Sequence, residues 1–166
     1  MSQTNFRRRE LAGVDFTGQD LSGADFSCAD LSGADFSCAD LSHVNFTGAN
    51  LKGANFIGAV MTGVIFRGAV LIGQNFVNMT MIGMNFSGAN LVEANLGFAL
   101  LRASDFTDAD MRGAGLVSAN LSDAKLVEAD LRGANLTRAN VCLAKTHGAK
   151  LSDAKLDGVE LNRARR

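Results

Sequence analysis

The chain of 166 residues contains no proline, no tryptophan and no tyrosine, and only three cysteines and two histidines. Against those gaps stand 18 glycines and 11 phenylalanines, a bias sharp enough to point to an internal repeat. An excess of either charge is also missing: 16 Lys and Arg meet 17 Asp and Glu, for a formal net charge of −1. That balance excludes a globally basic nucleic-acid binder and a globally acidic chain, so any charge-driven function has to be regional. No uninterrupted apolar run is long enough to span a bilayer, and the stretch from Met1 to Arg9 lacks the apolar segment of a secretory signal. A cytoplasmic protein without membrane contact is expected. Cys28, Cys38 and Cys142 are odd in number and lack metal-type pairing, which suits a reducing compartment better than a disulfide framework.

What is present is a five-residue period running from Thr4 to the end. Its apolar centres fall at residues 6, 11, 16 and so on to 161; of these 32 positions all but Thr146 carry Phe, Leu, Met or Val. Two residues before each centre the chain mostly has Ala, with Val14, Val44, Val64 and Val159 as variants, and 16 of the 18 glycines lie two residues after a centre. A helix cannot use this pattern, because five residues advance about 500° and successive centres would scatter around the axis. In extended backbone, residues two apart share a face, so Ala and the centre point inward together and the Asp or Asn between them points to water. Glycine two residues after the centre then supplies a turn. Each pentapeptide reads as a short edge followed by a corner.

From Phe6 to Leu91 the centres alternate between Phe and Leu or Met, so the local unit is ten residues; residues 22–31 recur unchanged in type at 32–41. If four edges close one coil, Phe occupies two opposite faces and Leu or Met the other two. The units Ala-Asp-Leu-Ser-Gly (29–33), Ala-Asn-Leu-Lys-Gly (49–53) and Ala-Asp-Leu-Arg-Gly (129–133) resemble the A(D/N)LXX repeats of pentapeptide-repeat proteins, a family abundant in cyanobacteria. The resemblance covers nearly the whole chain. It implies an all-β, right-handed quadrilateral β-solenoid of about twenty residues per coil, hence roughly eight coils and a rod roughly 40 Å long at about 4.8 Å per coil.

The expected organisation is one continuous solenoid over 1–166. A seam near 96–104 separates the Phe/Leu-alternating segment from a Leu-rich one, and it contains Phe98, the only Phe off a centre, and Leu100 in place of the usual Asp or Asn. Two short members joined together, or drift within one array, would each produce this seam. Residues 56–92 depart in another way, placing Ile57, Val60, Ile65, Val70, Ile72, Val77 and Ile82 at outward positions. In the twenty-residue register Ile57, Val77 and Val117 share a column and Val60 and Leu100 another, with Ile82 beside it. Together with Phe98 they form a candidate interface, although β-branched residues also fit pleated surfaces for local reasons. Gln74, Met79 and Met84 take inward positions that normally hold Ala, so strain or a bulge is expected near the middle.

Regional charge does exist. Asp15, Asp20, Asp25, Asp30, Asp35 and Asp40, with Glu10, form a candidate acidic surface: residues 10–50 hold seven acids and no Lys or Arg, whereas 131–166 hold eight bases and three acids. The resemblance implies a role to set against this, since some family members protect type II topoisomerases as duplex-DNA mimics. B-DNA carries about one charge per 1.7 Å, which the first coils approach and the whole rod does not. Arg7, Arg8 and Arg9 depart from the repeat and read as a charged lid, and Leu161 to Arg166 leaves no room for the extra helix many such members use to dimerise. The unbroken register also allows none of their loop insertions. No catalytic constellation, cofactor motif or metal set emerges: His43 and His147 fall on outward positions without triad partners, and Cys28 and Cys38 lie on opposite sides of one coil. The expected function is a non-enzymatic rigid scaffold for an unidentified protein partner, with a gyrase modulator as the alternative. A homodimer through a terminal coil or the apolar patch is compatible with this, and direct nucleic-acid binding is not expected.

Overall fold

A computed structural model of the chain describes residues 4–160 and 164. Except at Asn55 and Val60, every fifth residue from Asn5 pairs in parallel with the residue twenty positions later, from Asn5 with Asp25 to Asn135 with Lys155. The coil is therefore twenty residues with four edges. Coil 1 spans 4–23, coil 2 24–43, and so on to coil 8 at 144–160. We number the four faces by the edges of coil 1, centred on Asn5, Glu10, Asp15 and Asp20.

The local cause is visible in one unit. Phe26 N–H donates to Asn45 O (2.9 Å), Asn45 N–H to Ala24 O (3.0 Å) and Cys28 N–H to Thr47 O (2.9 Å), so each edge and corner is tied to the next coil. The corner closes as Ala29 N–H donates to Phe26 O (3.0 Å). The third residue of that turn needs positive φ, as type II turns do. Every residue two after a centre from Arg8 to Gly158 meets this condition, 16 as glycine and 15 as other residues. Glycine is thus favoured there without being required, and each non-glycine stores about 1–2 kcal/mol of backbone strain.

Inward residues make one continuous core of Ala, Leu, Met, Val and Phe. The expected segregation of Phe holds: Phe16 stacks on Phe36 at 5.1 Å and 5°, while Phe26 meets Phe36 edge-on from the opposite face at 5.9 Å and 82°. The column led by Phe6 continues to Phe106. The coils run on through 96–104, where Leu96 N–H donates to Gly115 O (2.7 Å) and Leu101 N–H to Asn120 O (2.8 Å).

One expectation is corrected. Arg7 to Arg9 do not leave the repeat: Arg8 takes the positive-φ corner and donates its N–H to Ser27 O (3.0 Å), and Arg9 fills the inward position while remaining exposed. The backbone periodicity is indifferent to the side chains at these positions, so a charged triplet does not break it. The expectation about Leu161 to Arg166 falls on residues that, apart from Ala164, lie outside those described.

Candidate functional site: an apolar face at an interrupted ladder

The outward Asp and Asn are structural before they are anything else. Asp15, Asp20, Asp30, Asp35 and Asp40 each accept, through Oδ1, the backbone N–H two residues on, at 2.8–3.0 Å. Asn55, Asn120 and Asn140 do the same at 3.0–3.1 Å. Each closes the corner that follows it. The Thr17, Ser22 and Ser37 side chains and N–H groups hold the Asp15, Asp20 and Asp35 carboxyls below the usual carboxylate range. Asp25 accepts Ser27 N–H in the same way and lies 3.7 Å from Arg7. With one outward residue per edge, the acids girdle coils 1 and 2 on all four faces instead of running as a stripe along the rod.

The fourth face departs from this scheme. Its outward column reads Asp20, Asp40, Val60, Thr80, Leu100, Asn120, Asn140, Glu160. Val60 is 49% exposed and Leu100 41%, and neither carries an acceptor for the N–H two residues on. On the preceding corner lie Ile57, 75% exposed, half-buried Val77, and Phe98, 57% exposed and held at φ 58°; on the following corner lies Ile82, 50% exposed. The register therefore brings together all six residues of the expected apolar patch. Ile65 and Leu143 are exposed as well but stand apart, Ile65 on the first face and Leu143 three coils beyond Ile82 on the corner that follows the fourth face.

Beneath the patch the ladder is interrupted. Among the described residues, the pairings of Asn55 with Asn75 and Val60 with Thr80 are missing between coils 3 and 4, while those above and below are intact. The cause is the large inward side chains. Gln74 is buried, and its amide Nε2 donates to Ala54 O, the carbonyl that would have received Asn75 N–H. Met79, directly after it on the fourth face, stays half-buried. A cavity of about 190 Å³ opens here, lined by Ile57, Gly58, Asn75, Val77 and Met79. The expected strain near the middle is thus a local opening. Met84 is accommodated otherwise: buried Ser104, one coil below, accepts Met84 N–H (3.2 Å) and donates to Met81 O (2.7 Å), standing in for the corner's own hydrogen bond.

Sequence reasoning did not isolate Ser104, although a Ser among inward Ala residues directly below a Met was the available sign. It also missed the ion pairs. Arg112 reaches back to Asp110 (2.7 Å) and Arg132 to Asp130 (2.6 Å) on successive coils of the second face, and Lys125 bonds Asp105 (2.8 Å) across coils. The Arg132 guanidinium lowers the Asp130 carboxyl to about 2. Among the described residues no group of His, Cys, Asp and Glu is arranged to hold a metal ion. His43 and His147 are exposed. A further hollow of about 300 Å³ on the last coils is lined by Arg138, Asn140, Cys142 and Glu160.

The chain matches the family model described as pentapeptide repeats, in eight copies over residues 1–37, 39–76, 65–108, 81–116 and 116–141. No curated protein matches it. Among solved structures it is similar to HetL, a pentapeptide repeat protein involved in heterocyst differentiation regulation from the cyanobacterium Nostoc sp. strain PCC 7120. The identity is 28% over 98% of this chain and 91% of that one, with a TM-score of 0.34. It is also similar to full-length QnrB1, a plasmid-mediated fluoroquinolone resistance protein, at 18% identity over 94% of this chain and 92% of that one, with a TM-score of 0.54.

Proposed function

This chain belongs to the pentapeptide-repeat family, a fold of right-handed quadrilateral β-helices, and on that premise we propose that it is a non-enzymatic rigid scaffold whose fourth face binds a protein partner. The observation that carries this is the loss of the outward Asp/Asn rule at Val60 and Leu100. A corner-closing side-chain hydrogen bond contributes about 1 kcal/mol, and an exposed apolar residue in its place returns little until something covers it. The patch groups that column with Ile57, Phe98 and Ile82 around the exposed Thr80, an apolar cluster of the kind that marks interaction sites. The proposed setting is the cytoplasm, where three thiols remain reduced. No helix among the described residues is long and apolar enough to cross a membrane.

A second reading, modulation of a type II topoisomerase through the acidic coils, draws on the shared fold of QnrB1 and the seven acids between residues 10 and 50. The girdle arrangement supports it less well, because a duplex mimic needs charge along the rod. The test compares immobilised wild type with the Val77→Asp/Leu100→Asp variant by quantitative recovery of bound protein, with an Asp20→Asn/Asp35→Asn variant alongside. Loss of recovery in the first variant alone is expected. Equal recovery by wild type and Val77→Asp/Leu100→Asp contradicts the apolar-face reading, and loss only in the Asp→Asn variant transfers the function to the acidic coils.

A further inference from the structure

The apolar face is self-complementary. Phe98 projects from coil 5, and two coils above it in the same column is Gly58, beside the cavity lined by Ile57, Gly58, Asn75, Val77 and Met79. Midway between knob and hollow is Asn78 of coil 4. A twofold axis at that level, perpendicular to the rod and parallel to the fourth face, carries Phe98 of one copy onto Gly58 of the other, and the reverse contact forms at the same time. Isologous pairs are built in this way, one patch meeting itself.

Charge selects the antiparallel arrangement. The same axis sets Val60 opposite Leu100 and Asp40 opposite Asn120, a carboxylate facing an amide. On the two flanking corners it sets His43 opposite Asp123 and Gly18, between Asp15 and Asp20, opposite Arg138. On the fourth face itself the carboxylates Asp20 and Asp40 of one rod thus lie opposite the amides Asn140 and Asn120 of the other. Parallel rods would instead bring Asp20 and Asp40 of both copies to the same levels. The overlap is also large enough: seven coils at about 4.8 Å, and five residues per side at about 3.3 Å, give roughly 1,100 Å² buried over both copies, above the about 1,000 Å² expected of a specific interface.

We propose that the partner of the fourth face is a second copy of this chain, the rods side by side and antiparallel, with each Phe98 seated in the other's cavity between coils 3 and 4. This rests on the reading of the fourth face as a contact surface and names its occupant.

The first arm is analytical ultracentrifugation of the purified chain across micromolar concentrations. A species of twice the 17.4 kDa chain mass is expected for wild type. Val60→Asn/Leu100→Asn should weaken it at least a hundredfold, and Phe98→Gly, which suits the positive φ, at least tenfold. The second arm places Ser118→Cys in a Cys28→Ser/Cys142→Ser background. Cys38 and residue 118 lie four coils apart within one chain, about 19 Å, yet face each other across the proposed axis, so a short bismaleimide should yield covalent dimer. His43→Cys in the same background reports the parallel arrangement and should yield none.

A monomeric wild type overturns the pairing, as does a dimer indifferent to the face substitutions. Cross-linking through His43→Cys, or none through Ser118→Cys, overturns the antiparallel register. A monomer that still binds a different protein in a Leu100-dependent manner overturns this inference while leaving the proposed function intact; loss of both defeats each.

Discussion

Val60→Asn/Leu100→Asn separates folding from binding more cleanly than most surface substitutions, because the new residues are what the repeat places at those positions elsewhere. Asn at an outward position accepts the N–H two residues on, as Asn55 does from Ile57 at 3.1 Å and Asn120 from Ser122 at 3.1 Å. The variant supplies that acceptor to Thr62 and Arg102, gaining about 1 kcal/mol per site and losing a similar amount of partly buried apolar contact. The monomer's thermal midpoint should therefore move by no more than about 4 °C, at about 2–4 °C per kcal/mol for a chain of this size. Association is another matter. With Val60 49% and Leu100 41% exposed, each leaves roughly 70 Å² for a partner to cover, about 2 kcal/mol at about 25 cal/mol per Å². Twofold symmetry counts each side chain twice, so the pair contributes about 7 kcal/mol; half of that is still more than a hundredfold in Kd. Circular dichroism melts and sedimentation on the same samples read the two quantities. An unchanged dimer constant, or a midpoint lowered by 10 °C, would refute the reasoning.

Other substitutions probe the scaffold and the competing function. Asp20→Asn/Asp25→Asn/Asp30→Asn/Asp35→Asn should fold normally, since Asn keeps the corner acceptor, whereas Asp30→Ala, which also loses the bond from Asn50, should cost about 1–2 kcal/mol in urea melts. Neither wild type nor the fourfold variant should alter DNA supercoiling by gyrase, with or without a quinolone; protection lost on neutralisation would favour the acidic coils. Gly133→Ala meets nothing within 4 Å, so its cost of about 1 kcal/mol should come from the positive φ alone and show as a lower denaturation midpoint. Asp130 has a folded pKa depressed from 3.8 to about 2 by Arg132, so its contribution is full above about pH 4 and is lost as pH falls towards 2. Acid unfolding of Arg132→Ala should show a shallower dependence in that window.

The sequence made the rod legible because a strict period has one solution. Ala and Phe two apart must share the inner face, and glycine two residues after a centre marks a corner with positive φ. The same register puts Ile57, Val60 and Leu100 on adjoining columns. Part of what stayed hidden arises between coils, where columns twenty residues apart set the contacts. That Gln74 takes over Ala54 O, that Ser104 stitches the corner under Met84, and that a cavity opens beside Gly58 all depend on how a large inward side chain is accommodated by the coils above and below. The outward Asp and Asn looked solvated by pattern alone; their corner-closing role needed the backbone two residues ahead to be in view. The ion pairs of Arg112 and Arg132 needed the reach of a long side chain back along its own edge.

Small-angle X-ray scattering on the purified chain tests the side-by-side pairing at the fourth face most directly. A rod of eight coils is roughly 40 Å long at about 4.8 Å per coil. Antiparallel pairing through the fourth face predicts a doubled mass at a maximum dimension well short of twice the rod length, with a thicker cross-section that reverts in Val60→Asn/Leu100→Asn. A doubled mass at roughly twice the length, about 80 Å, would mean end-to-end association and would contradict it.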